Sequence, residues 1–447
     1  MENKCYTDFN QNPKGGIFAM KALKRHYHWV IALIVFIEMI IYGGFLNAGS
    51  VFIVPITESL GLNRGDYSLA LMPRGIVGFF STLVTGFLFH KFGYRKCAIV
   101  SLLTFTAGLV LLAAAQDLTV IGISNGILGL SYGVCTTAGA VRIMKSWFHK
   151  HQGLMLGVVS MATGVGGSIM SMTLTEIIIA SNWRYAYIFT ALLIVILAIL
   201  YLLLRDKPEQ MGLLPYGDEK RPGNKQTADA AHTEWAGHTL QEILREPQFY
   251  LMAFCTFVSC TTVYLTFNVV VPHFQDGGYS ASEAAGFHSI LLLFLSGTKL
   301  AGGWLSDRIG AKRVTLLCAA CAAAGQFLLA DVSNLPLCYV GLILFSMGLL
   351  ATTITVPLLS NALFGYHCQG SVIGIFMALV PAASVVTSPI VNILYDRIGS
   401  YSPIFLVTAV LAAAVTGLML LLFALAGKDR KAYEATHQTT PESEEVL

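Results

Sequence analysis

Gly86-Phe-Leu-Phe-His-Lys-Phe-Gly-Tyr-Arg-Lys96 closes one long apolar segment, and Gly303-Trp-Leu-Ser-Asp-Arg-Ile-Gly-Ala-Lys-Arg313 closes another 217 residues later. The same offset carries Pro55 onto Pro272 and Gly157 onto Gly374, so the repeat covers most of each half of the chain. Parallel repeats of one membrane module predict two bundles with a shared site between them.

The composition agrees. Hydrophobic residues make up 55% of the 447 positions and charged residues 12%, about half the share expected of a soluble domain. Twelve apolar runs are each long enough to cross about 30 Å of hydrocarbon as helices. They cover 29–53, 67–89, 97–115, 118–146, 152–179 and 185–204 in the first half. In the second half they cover 248–273, 283–306, 314–331, 335–363, 370–394 and 402–426. The expected fold is all-α: a polytopic membrane protein of twelve transmembrane helices in two six-helix bundles, 29–204 and 247–426. A tail (1–28), a polar central linker (205–246) and a second tail (427–447) complete the chain, the last expected to be disordered beyond Lys428.

All but six of the 28 Lys and Arg residues fall in the two tails and in the loops after even-numbered helices. Cytoplasmic loops retain positive charge, so both termini are expected in the cytoplasm. Arg64, Arg184 and Arg397 lie on the opposite side, and Arg74, Arg142 and Lys299 lie within helices. The first 28 residues show no cleavable signal peptide. The nine cysteines read as small hydrophobes, Cys318-x-x-Cys321 included, because that pair has no further metal ligands beside it. No Gly-rich phosphate loop, zinc-binding His-Glu-x-x-His or nucleophile elbow occurs, so neither an enzyme nor a cofactor is expected. The charge of +3 belongs to the loops and points to no nucleic-acid partner.

The duplicated pattern G-x-x-x-D-[RK]-x-G-x-[RK]-[RK] resembles the loop between helices 2 and 3, and between 8 and 9, of the major facilitator superfamily. The second copy is complete in Gly303, Asp307, Arg308, Gly310, Lys312 and Arg313. The first has Gly86, Lys91, Gly93, Arg95 and Lys96, with His90 where the family has Asp. Three further stretches are similar to monocarboxylate transporters and oxalate/formate antiporters: Trp147–Gly157 leading into Ala162-Thr-Gly-Val-Gly-Gly167, Arg205–Gly217, and Tyr395–Phe405. The resemblance implies a secondary transporter of a small organic anion, working by alternating access, either with protons or by exchange. It implies a gate at the duplicated loop, with Asp307 facing the start of helix 5 near His151 and His90 making a weaker mirror contact to helix 11. An exporter of hydrophobic compounds and a non-transporting sensor are the competing expectations.

A charge inside a spanning helix costs about 2.5–3.5 kcal/mol and so tends to face a cavity or a partner. Lys299 stands four residues before Gly303, where monocarboxylate transporters have an Arg understood to meet the substrate carboxylate. The family's acidic partner one turn earlier is replaced near Leu295, and helix 11 has no basic residue, so a monoanion is expected rather than oxalate. Glu38 can accept a proton or pair with Arg142, which lies at a similar depth. Arg74 can serve as a second anion contact, pair with Glu176 as an outer gate, or reach to the surface. Tyr42, Asn47, Tyr132, Tyr264 and Asn268 are expected to line the cavity, with Phe345 as a further candidate.

Overall fold

The computed structural model describes residues 27–135, 137–150, 152–217, 240–349 and 369–437. Among them the chain is helical apart from one isolated parallel bridge, Phe148 to Tyr216. Helix 1 runs over Tyr27–Asn47, helix 2 over Arg64–Phe92, helix 3 over Tyr94–Ala113, helix 5 over Gln152–Ala180 and helix 6 over Trp183–Leu200. Helix 4 comes in two pieces, Leu118–Leu130 and Thr137–Trp147. The second half repeats the order: helix 7 (Pro247–Phe267, then Val270–Asp276), helix 8 (Ala281–Ile309), helix 9 (Ala311–Leu329), helix 10 (Leu335–Leu349), helix 11 (Gln369–Ile398) and helix 12 (Ser402–His437). Helix 12 therefore continues to His437, beyond the expected end of its span at 426 and through the first part of the tail expected to be disordered. The rest of that tail, residues 1–26, linker residues 218–239 and the second half of helix 10 lie outside the described residues.

The internal repeat is visible in the backbone. Gly93 and Gly310, one in each copy of the duplicated loop, separate helices 2 and 3 and helices 8 and 9 with φ of +80° and +85°. That left-handed backbone excludes most side chains and turns the chain sharply between two helices. In the first copy Asp206 accepts a 2.7 Å bond from the Arg95 amide at the start of helix 3. The segment after helix 6 then folds back, with the Tyr216 amide donating to the Trp147 carbonyl at 2.8 Å. The signature Arg205–Gly217 is thus a brace across two loops of the first bundle.

Helices 1, 4 and 7, each the first of a three-helix unit, are broken. Helix 1 is α-helical to Glu38, passes through a π turn at Met39–Gly43, and leaves helical geometry at Ala48. Helix 7 breaks at Val269, and helix 4 breaks after Leu130. Irregular backbone at membrane depth is tolerated only where protein or a cavity satisfies it, and π turns concentrate at functional sites. Asn47, Tyr132 and Asn268 stand at these three breaks.

Candidate functional site between the halves

The Gly-rich stretch of helix 5 brings three helices together. A Cβ at Gly166 would lie 2.2 Å from the Ile40 carbonyl oxygen, and one at Gly44 would lie 2.5 Å from the Gly166 carbonyl carbon. On the opposite face, a Cβ at Gly164 would meet Ser296 Oγ at 2.2 Å and the Leu292 carbonyl oxygen at 2.6 Å. Helix 5 thus touches helix 1 and helix 8 backbone to backbone, which only small residues permit.

Thr163 sits in this stretch and joins both halves. Lys299 Nζ donates to Thr163 Oγ1 at 2.8 Å, and Asn47 Nδ2 donates to the Thr163 carbonyl at 3.0 Å. Lys299 and Asn47, far apart in sequence, are therefore brought to one residue that the sequence reading did not single out. Among the described residues no carboxylate lies within ion-pair distance of Lys299, and Leu295, one turn away, is buried and apolar. A half-buried ammonium held by one neutral hydroxyl retains donors for an anion.

A second cluster forms around Arg74, half-buried on helix 2. It is an electrostatic neighbour of Tyr67, Tyr132 and Tyr187. Tyr132 also neighbours Tyr264 of the other half. Tyr132, Tyr264 and Asn268 are each partly exposed at or beside helix breaks. The expected pair of Arg74 with Glu176 is not formed: Glu176 Oε1 instead accepts a 2.6 Å bond from Ser282 of helix 8. Tyr42 is fully buried against Phe105 and 3.1 Å from Ser131 Oγ, and Phe345 is fully buried, so both are packing residues here.

The alternative pairing of Glu38 with Arg142 is also absent. Glu38 is completely buried, and its Oε2 accepts from the hydroxyls of Tyr201 and, at 3.4 Å, Tyr94. Among the described residues its Oε1 has no strong donor, the Cys135 thiol being the nearby polar group. These neighbours all belong to the first bundle. The Arg142 guanidinium instead lies 5.2 Å over the Phe89 ring; cation–π contact replaces the ion pair.

At the duplicated loop, His90, Lys91 and Lys96 are exposed, Lys91 lies over the rings of Phe87 and Phe92, and Gly86 meets nothing near its Cβ position. Lys312 lies 5.9 Å over Phe423, and Arg313 is exposed. The surroundings of Gly303, the side chain of Asp307 and all of His151 lie outside what the structure describes, so the expected contact between Asp307 and helix 5 does too.

At the opposite end a network not anticipated from the sequence ties the halves. Arg64 of helix 2 forms two parallel bonds to Asp276 of helix 7, 2.7 Å and 2.9 Å, and a third to the Tyr401 hydroxyl at 3.2 Å. Its guanidinium lies 4.2 Å over the Tyr395 ring. Next to it the Gly65 amide donates to Asp396 at 2.7 Å, Asn392 donates to Ser68 at 2.8 Å, and Tyr401 donates to Asn392 at 2.7 Å. Bidentate Arg–carboxylate bonds and stacking on a ring use the full geometry of guanidinium. This end of the space between the halves is closed in the structure.

The duplicated loop, the two bundles and the seam between them agree with the family comparison: the model of the Major Facilitator Superfamily matches residues 31–380. The chain belongs to that superfamily. Among similar proteins, the zebrafish Danio rerio monocarboxylate transporter 12-B is 25% identical over 356 residues, covering 75% of this chain and 74% of its own. An uncharacterized transporter of the superfamily from Bacillus subtilis, YcxA, is 23% identical over 294 residues, covering 64% of this chain and 67% of its own. The crystal structure of a variant of the nucleoside transporter NupG superposes with a TM-score of 0.70, covering 89% of this chain and 99% of that one at 12% identity. This superfamily member is a multi-pass membrane transporter with the twelve-helix, two-bundle fold.

Proposed function

We propose that this transporter carries a small organic anion of the monocarboxylate type by alternating access, coupled to protons or by anion exchange. The observation that carries the reading is Lys299: one ammonium in the seam between the halves, bonded to a hydroxyl and paired with no described carboxylate. Its substrate supplies the missing negative charge. Asn47, Tyr132, Tyr264 and Asn268 complete the polar lining at the helix breaks, with Arg74 as a second positive centre nearer the Arg64 end. A single ammonium binds a carboxylate as a point charge without the two-bond grip of guanidinium, so small monoanions suit it better than dianions. We place it in the cell membrane, and the distribution of Lys and Arg supports both termini on the cytoplasmic side. Uptake of labelled lactate, pyruvate, formate and oxalate into proteoliposomes under an imposed pH gradient tests the reading. Saturable uptake of the monoanions supports it; export of hydrophobic compounds with no carboxylate uptake overturns it.

In this scheme the Arg64 network is the gate that closes one side. Arg64→Gln is expected to open that end, because it removes two charged bonds and a stacking contact while leaving Asp276 unpaired. The pair's side chains are 13% and 26% exposed, so solvent screens part of the effect, and about 1–2 kcal/mol is expected in the balance of states. A water-soluble thiol reagent applied to a cysteine placed at Ser68 measures it. Reaction should be several-fold faster in the variant, and equal rates would remove the gate.

The duplicated loop forms the opposite gate. His90→Asp restores the negative charge of the second copy and should strengthen the closure of that end. Spin labels at Lys96 and Arg313, both exposed, report it as a larger population of the short distance. Unchanged distances together with unchanged uptake would contradict this role for His90.

A further inference from the structure

His288 is a buried polar side chain that the substrate site leaves unused. It lies on helix 8, fully inaccessible, in the seam with helix 5. One ring nitrogen, Nδ1, is 3.3 Å from Ser171 Oγ. The other, Nε2, is buried with no hydrogen-bond partner among the described residues. A buried ring nitrogen without a partner costs free energy, and here the orphan stands where the two halves separate during transport.

The seam around it is polar, and its nearest described carboxylates, Glu176 and Glu283, are bonded to serines. From Lys299 toward the Arg64 end it runs through Thr163, through Ser296 against Gly164, through Ser289 bonded to the Ser168 carbonyl at 3.0 Å, to His288 with Ser171 and finally Ser282 with Glu176. On helix 5 the nearest ionisable group is Glu176, five residues on and bonded to Ser282. On helix 8, Glu283 is bound to Ser280, and Lys299, eleven residues away and about 16 Å along the axis, is bound to Thr163. Helix 7 presents Phe267, ring centroids 5.4 Å apart, while its His273 turns to the Leu329 carbonyl and stacks on Phe405. On the described part of helix 10 the ionisable groups are Cys338, directed to the Asp331 carbonyl, and Tyr339, against Phe287. Among the described residues no charged group interacts with the His288 ring.

We propose that His288 is a proton-binding site of the transport cycle, occupied when the helix 5–helix 8 seam is open and vacated as it closes. In the open state water reaches Nε2, a hydronium O–H bond breaks and an Nε2–H bond forms, leaving an imidazolium. In the closed seam that cation would have one hydroxyl and an aromatic ring for partners, too little to offset its lost hydration. Closure thus releases the proton, and acid holds the seam open. The sign follows: the closed state is fully favoured above the open-state pKa, about 6.5 for a hydrated imidazole, and is lost as pH falls below it. Between pH 8 and pH 5.5 the ratio of closed to open should fall about tenfold. The inference gives the proposed anion transport a coupling proton, yet its test needs no substrate, so either can fail alone.

The test is a disulfide between Glu176→Cys and Ser282→Cys, whose native side chains are 2.6 Å apart. Replacing Glu176 also removes the ionisable group of helix 5 nearest to His288. The full chain in proteoliposomes is oxidised mildly, then cut at a protease site introduced in the central linker, so the halves stay joined on a gel only where the disulfide formed. Cross-linking in otherwise wild-type protein should fall strongly from pH 8 to pH 5.5. In His288→Asn, which keeps a partner for Ser171, and in His288→Gln, which keeps one at the Nε2 position, only the fall due to protonation of the cysteine thiolates should remain, about tenfold smaller than with His288 present. A fall with His288 present that is no larger than the fall in the two folded variants overturns the proposal.

Discussion

Replacing Lys299 with glutamine is expected to lower carboxylate uptake by at least about thirty-fold at limiting substrate. Removing one partner of a buried charged hydrogen bond costs roughly 2–5 kcal/mol, and about 2 kcal/mol corresponds to that factor. The variant should still fold, because glutamine can donate to Thr163 Oγ1 as the ammonium does and removes an unpaired charge from the seam. Lys299→Arg is the informative companion: it keeps the charge and adds the two-bond grip, so it should retain uptake and widen it toward dianions. Initial rates in proteoliposomes of matched protein content measure both. Equal rates for wild type and Lys299→Gln would show that the ammonium does not hold the substrate.

The second large effect is on the fold. Gly166→Leu should abolish folded protein, because the first added carbon would lie 2.2 Å from the Ile40 carbonyl oxygen and 2.5 Å from Ile40 Cα. Both atoms are backbone, so no side chain can move aside, and helix 1 must be pushed off helix 5. Overpacking a core costs about 1–3 kcal/mol even where side chains relax, and this site offers no such relaxation. Gly157→Ala, whose Cβ would find only Leu300 Cδ1 at 3.6 Å, should be tolerated. Size-exclusion profiles and thermal stability in detergent compare the two; a folded Gly166→Leu would mean that helix 1 does not lie on helix 5 as described.

Much of this was legible in the sequence because it depends on local rules. Span length, the positive loops and the repeat of 217 residues give two bundles without any knowledge of contacts. Gly93 and Gly310 announce a turn that only glycine makes easily, and both adopt it. Lys299 was legible for the same reason: a charge in an apolar helix stands out whatever surrounds it. What could not be read was partner choice, which is set by how helices rotate against one another. Glu38 and Arg142 share a depth but face different neighbours, tyrosines for one and Phe89 for the other. Glu176 meets Ser282 and not Arg74 for the same reason. Tyr42 carries the same hydroxyl as Tyr132 but points into the first bundle, where Ser131 takes it. Arg64 looked like a loop charge because its partners, Asp276 and Tyr401, belong to the other half.

The helix breaks explain why the proposed site falls where it does. Asn47, Tyr132 and Asn268 stand at interruptions of the first helices of their three-helix units, where backbone groups leave the helical ladder and polar side chains have company. Thr163 was hidden in a motif read for its glycines: the small residues bring helices 1, 5 and 8 close enough for one threonine to take bonds from Asn47 and Lys299 together. Packing and the proposed recognition thus share the same short stretch.

Equilibrium binding of a labelled monocarboxylate to the purified transporter, with no gradient imposed, tests the central claim most directly. Wild type and Lys299→Gln of equal thermal stability are compared, with unlabelled monoanions and a neutral hydrophobic compound as competitors. The account predicts saturable binding by wild type, displaced by other small monoanions but not by the neutral compound, and lost in Lys299→Gln. Carboxylate binding that survives the substitution, or its absence from wild type that binds the hydrophobic compound, would contradict it.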